Sequence, residues 1–136
     1  MTPEELLAMP SSDYMCKEQL EYFKSLLEKE KQICQESLVI AIDEATDPEN
    51  ISVTSSDPID RASGHDALMK SGQYSIRLNK QIRMINAALN KILSGDYGYC
   101  DNTGDEIGLR RLMVCPYARF TIDEQEALEQ REKHFN

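Results

Sequence analysis

Apolar residues recur along two long stretches of the chain at the spacing of a helix seam. Between 73 and 94, Leu78, Ile82, Ile85, Leu89 and Ile92 stand four, three, four and three apart. This is the heptad pattern of a helix that lays one stripe against a partner. Between 17 and 47, Leu20, Phe23, Leu27, Cys34 and Ala41 follow a similar seam, which Glu30 and Ser37 interrupt. Leu26, Ile33 and Ile40 form a parallel row seven apart that is expected to widen the stripe. Gly and Pro are almost absent from both stretches, so both read as helix. The connection from about 47 to 62 is rich in Pro, Ser, Asp and Asn and reads as a turn. Neither helix can bury its stripe alone, so the two are expected to pack antiparallel. A helix of some 30 residues at about 1.5 Å per residue reaches about 45 Å. The fold class predicted is mainly α, with a long antiparallel coiled-coil hairpin rather than a compact bundle. Periodicity alone leaves open a plain oligomerisation module or half of a four-helix bundle.

Composition narrows the partners. The chain has 136 residues, one domain by length, and its 15 basic and 24 acidic side chains give a net charge of -9. Bulk attraction to a polyanion is therefore disfavoured, and direct DNA binding is not expected. No stretch approaches the roughly 20 apolar residues of a membrane span. The start, Met-Thr-Pro-Glu-Glu-Leu-Leu, lacks a basic region and does not read as a secretory signal. A cytoplasmic protein is expected. Cys16, Cys34, Cys100 and Cys115 form no Cys-x-x-Cys pair and read as thiols in a reducing compartment. Cys34 sits in the apolar stripe and is expected to pack as a small hydrophobe. His65 and His134 have no partner at ligand spacing and read as exposed. Asp101, Asp105 and Glu106 lack the alternation of a calcium loop. There is no nucleophile–base pair and no Gly-rich phosphate loop, so the chain does not read as an enzyme.

The turn ends in Asp57-Pro58-Ile59-Asp60-Arg61-Ala62. A helix start explains it: Asp57 as N-cap, Pro58 at N1 and Asp60 at N3, where a carboxylate favours the helix dipole. A second reading is that two carboxylates three apart are displayed at the far end of a rigid arm. There they could bias a metal-dependent active site or a mobile basic element.

This hexapeptide resembles the tip motif Asp-Pro-x-Asp-Arg-Ala of the DksA/TraR-type regulators of bacterial RNA polymerase. Two further blocks are similar to the same family. Gly-Asp-Tyr-Gly-Tyr-Cys at 95 to 100, followed by Gly-x-x-Ile-Gly-x-Arg-Arg-Leu at 104 to 112, has the layout of its four-cysteine zinc knuckle. Leu-Glu-Gln-Arg-Glu-Lys at 128 to 133 is similar to its final helix. The similarity spans nearly all of 15 to 136. It implies three parts: an N-terminal segment 1–16 packing on the globular part, a coiled coil 17–94 with its tip at about 53–63, and a knuckle with a C-terminal helix at 95–136. In that family the coiled coil enters the secondary channel of RNA polymerase and the tip acts near the catalytic centre. The polymerase-contact residues carried over are Asp57, Asp60, Arg61, Ala62, Arg77, Glu129 and Arg131, and Lys80 also falls where the family is basic.

Two departures matter. The family's thiolates would stand at 100, 103, 121 and 124, and the chain offers Cys100, Thr103, Thr121 and Glu124. A threonine hydroxyl is not a structural zinc donor, so the likeness is to the zinc-independent members, and no metal or other cofactor is expected. Cys115 does not substitute, because it falls where the family usually carries Arg. Tyr97, Tyr99, Ile107, Leu109, Leu112 and Ile122 are then expected to hold the globular part together, with Pro3 to Met9 and its Leu6-Leu7 pair packing there too. Second, the family's site for the alarmone ppGpp corresponds to Gln81, Met84, Cys115 and Gln125. No cation remains among them, which puts ppGpp dependence in doubt. The expectation is a monomeric transcription regulator that binds RNA polymerase and modulates initiation. The alternatives weighed are a Gre-like transcript-cleavage accessory factor and a structural coiled-coil module.

Overall fold

The computed structural model describes residues 1–46 and 58–135. The fold is mainly α, an antiparallel coiled-coil hairpin plus a small globular part, with five helices among the described residues: α1 (Pro3–Ala8), α2 (Lys17–Thr46), α3 (Pro58–Ser94), α4 (Leu109–Val114) and α5 (Ile122–Phe135). A short 3-10 turn, Ser11–Asp13, precedes α2. No described helix is long and apolar enough to cross a membrane. By internal contacts the chain divides into two compact units, Met1–Lys29 with Ile85–Asn136, and Glu30–Met84.

In the unit Glu30–Met84, Glu44 and Ala45 of α2 line one open pocket with Ala67, Leu68 and Ser71 of α3, which sets the antiparallel register. Cys34, Ala41 and Leu78 of the predicted seam are buried here and Ile82 is half-buried, and burial pushes the Cys34 thiol up, with Glu30 adding to the shift. The row beside it is different. Ile33 and Ile40 are 49% and 57% exposed. The row was expected to widen the stripe; at Ile33 and Ile40 it does not, while Leu26, in the other unit, is half-buried. At about 100° per residue these positions stand on the flank of the helix relative to Cys34, and a two-helix seam covers only its own stripe.

Pro58 opens α3, as expected of a proline at the first helical position. The helix therefore starts before the Gly- and Pro-poor stretch 73–94 and runs through Gly64 and Gly72. Each interior glycine costs roughly 0.5–1 kcal/mol relative to alanine, and pairing against α2 overrides that local preference.

The other unit has its own core: Leu6, Phe23, Leu27, Ile85, Ala88, Tyr97, Cys100 and Leu112 are all buried. The Phe23 ring lies 5.6 Å from that of Tyr97 and 5.3 Å from that of Tyr22. Leu6 is fully buried, so the N-terminal segment packs in this unit as expected, while Leu7 is exposed. Thr2 caps α1 with a reciprocal box: its hydroxyl accepts the Glu5 N–H at 3.2 Å, and the Glu5 carboxylate accepts the Thr2 N–H at 3.0 Å. Met15 takes a left-handed φ of 59° at the entry to α2. The buried Gln19 side chain accepts the Met15 N–H at 2.9 Å and so satisfies that turn. Of the residues expected to hold the knuckle, Tyr97 and Leu112 are buried. Tyr99 and Ile122 are exposed, which corrects the expectation for those two. Tyr99 sits at an isolated bridge opposite Glu106, at the margin of the knuckle, and Ile122 opens α5.

Candidate functional site

The knuckle between α3 and α5 is built on backbone turns that only some sequences allow. Gly98 has φ of +95°, and a Cβ there would lie 2.7 Å from Met15 Cγ and Sδ. Its glycine is thus required by both conformation and space. Tyr14 binds the two loops of the knuckle together. Its hydroxyl donates to the Gly98 carbonyl at 2.6 Å and accepts the Gly108 N–H at 2.9 Å. Burial raises the pKa of that phenol, although the bond from Gly108 works the other way. The Tyr97 hydroxyl, buried, donates to the Pro116 carbonyl at 2.7 Å, and Arg111 Nε donates to the Phe120 carbonyl at 3.0 Å.

The four positions of the zinc-knuckle layout are all engaged by neighbours. Thr103 Oγ1 accepts the Asp105 N–H at 3.3 Å, and Thr121 Oγ1 accepts the Glu124 N–H at 3.2 Å. Thr121 thereby caps the start of α5. Glu124 Oε1 accepts from Asn102 Nδ2 at 3.1 Å and from Arg131 at 3.3 Å, so its carboxylate ties the first loop to α5. Cys100 is buried. Burial pushes its thiol up, but hydrogen bonds from the Thr103 side chain and from the backbone of Thr121, Thr103 and Asn102 outweigh it and hold it at about 7. One thiol, two alcohols and one carboxylate already paired to Arg131 do not fit a structural zinc, which takes four Cys or His donors. Among the described residues no group of three or more His, Cys, Asp or Glu is placed to hold a metal. Asp101, considered as part of a calcium loop in the sequence, instead pairs with Lys91 and, at 2.8 Å, with Arg119. Desolvation opposes its ionisation, and the bonds to Lys91 and Arg119 overcome it, so its pKa is lowered. Stability from this pair is present above the ordinary carboxylate range and is lost as pH falls through the lowered value.

Comparison with known proteins decides the family. The family model described as prokaryotic dksA/traR C4-type zinc finger matches residues 95–130. The RNA polymerase-binding transcription factor DksA of Caulobacter vibrioides is 37% identical over 127 residues, covering 91% of this chain and 87% of the relative. The chain belongs to the DksA family. The protein of the same description from Salmonella typhimurium is 32% identical over 124 residues, with 91% of this chain and 80% of the relative covered. The solved structure of transcription factor DksA2 from Pseudomonas aeruginosa superposes with a TM-score of 0.83 at 34% identity, over 98% of this chain and 100% of that one.

The remaining DksA-type positions fall as follows. Asp57 lies outside the described residues. Asp60 and Arg61 fall at the start of α3, and their side chains are outside the description. Ala62 is exposed on the same helix. Arg77 is exposed and stands over the Tyr74 ring, 5.8 Å from its centroid. Glu129 on α5 accepts from Gln125 at 3.1 Å, and Arg131 pairs with Glu124. Of the positions matching the alarmone site, Gln81 and Met84 are half-buried on α3, the Cys115 N–H closes α4, and Gln125 lies on α5. His65 and His134 are exposed, as expected. Sequence reasoning missed Tyr14, which acts on residues 84 and 94 positions away. No periodic signal marks such a residue.

Proposed function

We propose that the chain is a transcription regulator that binds RNA polymerase. It reaches the enzyme through the secondary channel with its coiled-coil arm and modulates initiation through acidic tip residues, without binding DNA. The observation that carries this reading is end-to-end similarity to proteins described as RNA polymerase-binding transcription factors, at 37% identity over 127 residues. The division into 1–16, 17–94 and 95–136 belongs to the same reading. Asp57 and Asp60 act at the tip; Arg61, Ala62, Arg77, Glu129 and Arg131 make contacts. The protein works as a cytoplasmic monomer and is not itself an enzyme. The test is capture by purified core RNA polymerase, followed by transcription from a ribosomal RNA promoter with and without the protein. Absence of capture contradicts the reading. Stimulated cleavage of nascent RNA in stalled complexes would place the protein with the Gre-type factors instead.

We infer zinc independence from the ligand set Cys100, Thr103, Thr121 and Glu124. A structural zinc contributes folding free energy directly. Here the hydrogen bond that Tyr14 donates to Gly98, those that Thr121 Oγ1 and the Glu124 carboxylate accept, and the Phe23–Tyr97 packing take its place. Purified protein is expected to carry no stoichiometric zinc and to keep its melting temperature in EDTA. Elemental analysis near one zinc per chain, or a melting temperature that collapses in chelator, overturns this.

The alarmone is expected to add little. Gln81, Met84, Cys115 and Gln125 offer no positive charge to a polyphosphate. On polymerase lacking any other alarmone site, the effect on a ribosomal promoter is expected to be the same with and without ppGpp. A large increase with ppGpp contradicts this.

A further inference from the structure

We propose that Met69, Gly72 and Ile76 form a docking notch on the outer face of α3 for an acidic protein surface of the polymerase. The inference rests on the polymerase-binding reading and assigns the face of the arm that makes contact.

Met69 is 63% and Ile76 67% exposed. They stand seven apart, two turns along one row, and at roughly 100° per residue that row points away from the buried Leu78. Gly72 lies between them, three residues from one and four from the other, so all three share a surface. It is exposed, and a Cβ added there would meet nothing within 4 Å. Its φ is not among the positive values. Neither backbone conformation nor internal packing therefore calls for glycine at this place, and the helix would be better served by almost any other residue. What the glycine leaves is a gap between two exposed apolar side chains, open to an inserted side chain.

Charge selects the occupant. From 66 to 84 the helix carries Lys70, Arg77, Lys80 and Arg83 against one acidic residue, Asp66, in a chain of net charge -9. Lys80 and Arg83 are exposed and continue the face that Met69 and Ile76 begin. The opposite helix, from 30 to 46, carries Glu30, Glu36, Asp43 and Glu44 against Lys31. An acidic partner thus meets attraction on α3 and repulsion on α2. A nucleic acid is the poorer match, because Met69 and Ile76 offer no ring on which a base could stack.

The experiment is binding of the full-length, labelled protein to core RNA polymerase. Gly72→Leu is expected to melt higher than the parent, because the helix gains a better former, and yet to bind about tenfold weaker or worse, as when an anchor site is blocked. Ile76→Glu is expected to weaken binding at least as much. On the other helix, Ile40→Glu should bind like the parent. A glycine retained for purely structural reasons gives a higher melting temperature with unchanged affinity. If Gly72→Leu and Ile76→Glu bind as tightly as the parent, this face is not the contact, and the polymerase reading still stands. If the parent does not bind polymerase, both fall. Binding of the parent to labelled duplex DNA or RNA, lost in Lys80→Ala, would overturn the assignment to a protein partner.

Discussion

Asp60→Asn is expected to lose promoter regulation while its affinity for core RNA polymerase stays within a few-fold of the parent. On the proposed reading the contact surface comes mainly from the coiled-coil flanks, Arg77 and the C-terminal helix, and the tip acts through charge. Asparagine is nearly isosteric and still caps helix amides. The fold should therefore lose only part of the roughly 0.3–1 kcal/mol that a carboxylate gains near a helix N-terminus. Removing the charge thus separates function from structure. If Asp60 served only to start α3, the outcome would be reversed: a small drop in melting temperature with normal regulation. Thermal melts and transcription assays on Asp60→Asn, with Asp57→Asn beside it, distinguish the two, and full regulatory activity in the Asp60 variant would sink the functional role of the tip.

The largest loss of stability is expected from Phe23→Ala. The ring is fully buried and packs on Tyr97 and Tyr22. Truncating such a residue costs about 3–5 kcal/mol, because a cavity is left where the transfer energy is lost. A domain is typically stable by about 5–15 kcal/mol, so one substitution removes a large share. Ile33→Ala, on the exposed row of α2, should change stability by no more than about 0.5 kcal/mol. Urea titration of both variants checks the pair. A Phe23→Ala loss no larger than that of Ile33→Ala contradicts the core assignment.

The hairpin was legible in the sequence because its signal is local and repeated. Leu78 and Ile85, and Phe23, Leu27, Cys34 and Ala41, are buried where the heptad placed them. The start of α3 was legible too, because Pro58 stands at the first helical position as its sequence context indicated. Gly64 and Gly72 disfavour helix locally, and α3 runs through them because it pairs with α2. Ile33 and Ile40 were misread because apolar spacing marks a face but not whether anything covers it. In the knuckle, residue types alone ruled against a zinc site, since two threonines cannot serve as ligands. What holds the knuckle instead could not be read. Tyr14, Asn102, Glu124 and Arg131 meet only after folding, and none of them stands in a periodic pattern.

The most direct test of the arm's role is a photo-reactive side chain at position 62, where Ala62 is exposed on α3 close to the tip motif. In complexes with purified RNA polymerase, the crosslink is expected to map to the walls of the secondary channel, near the catalytic centre. A complex that forms with polymerase but crosslinks from position 62 only to DNA or to the outer surface of the enzyme would contradict insertion of the arm.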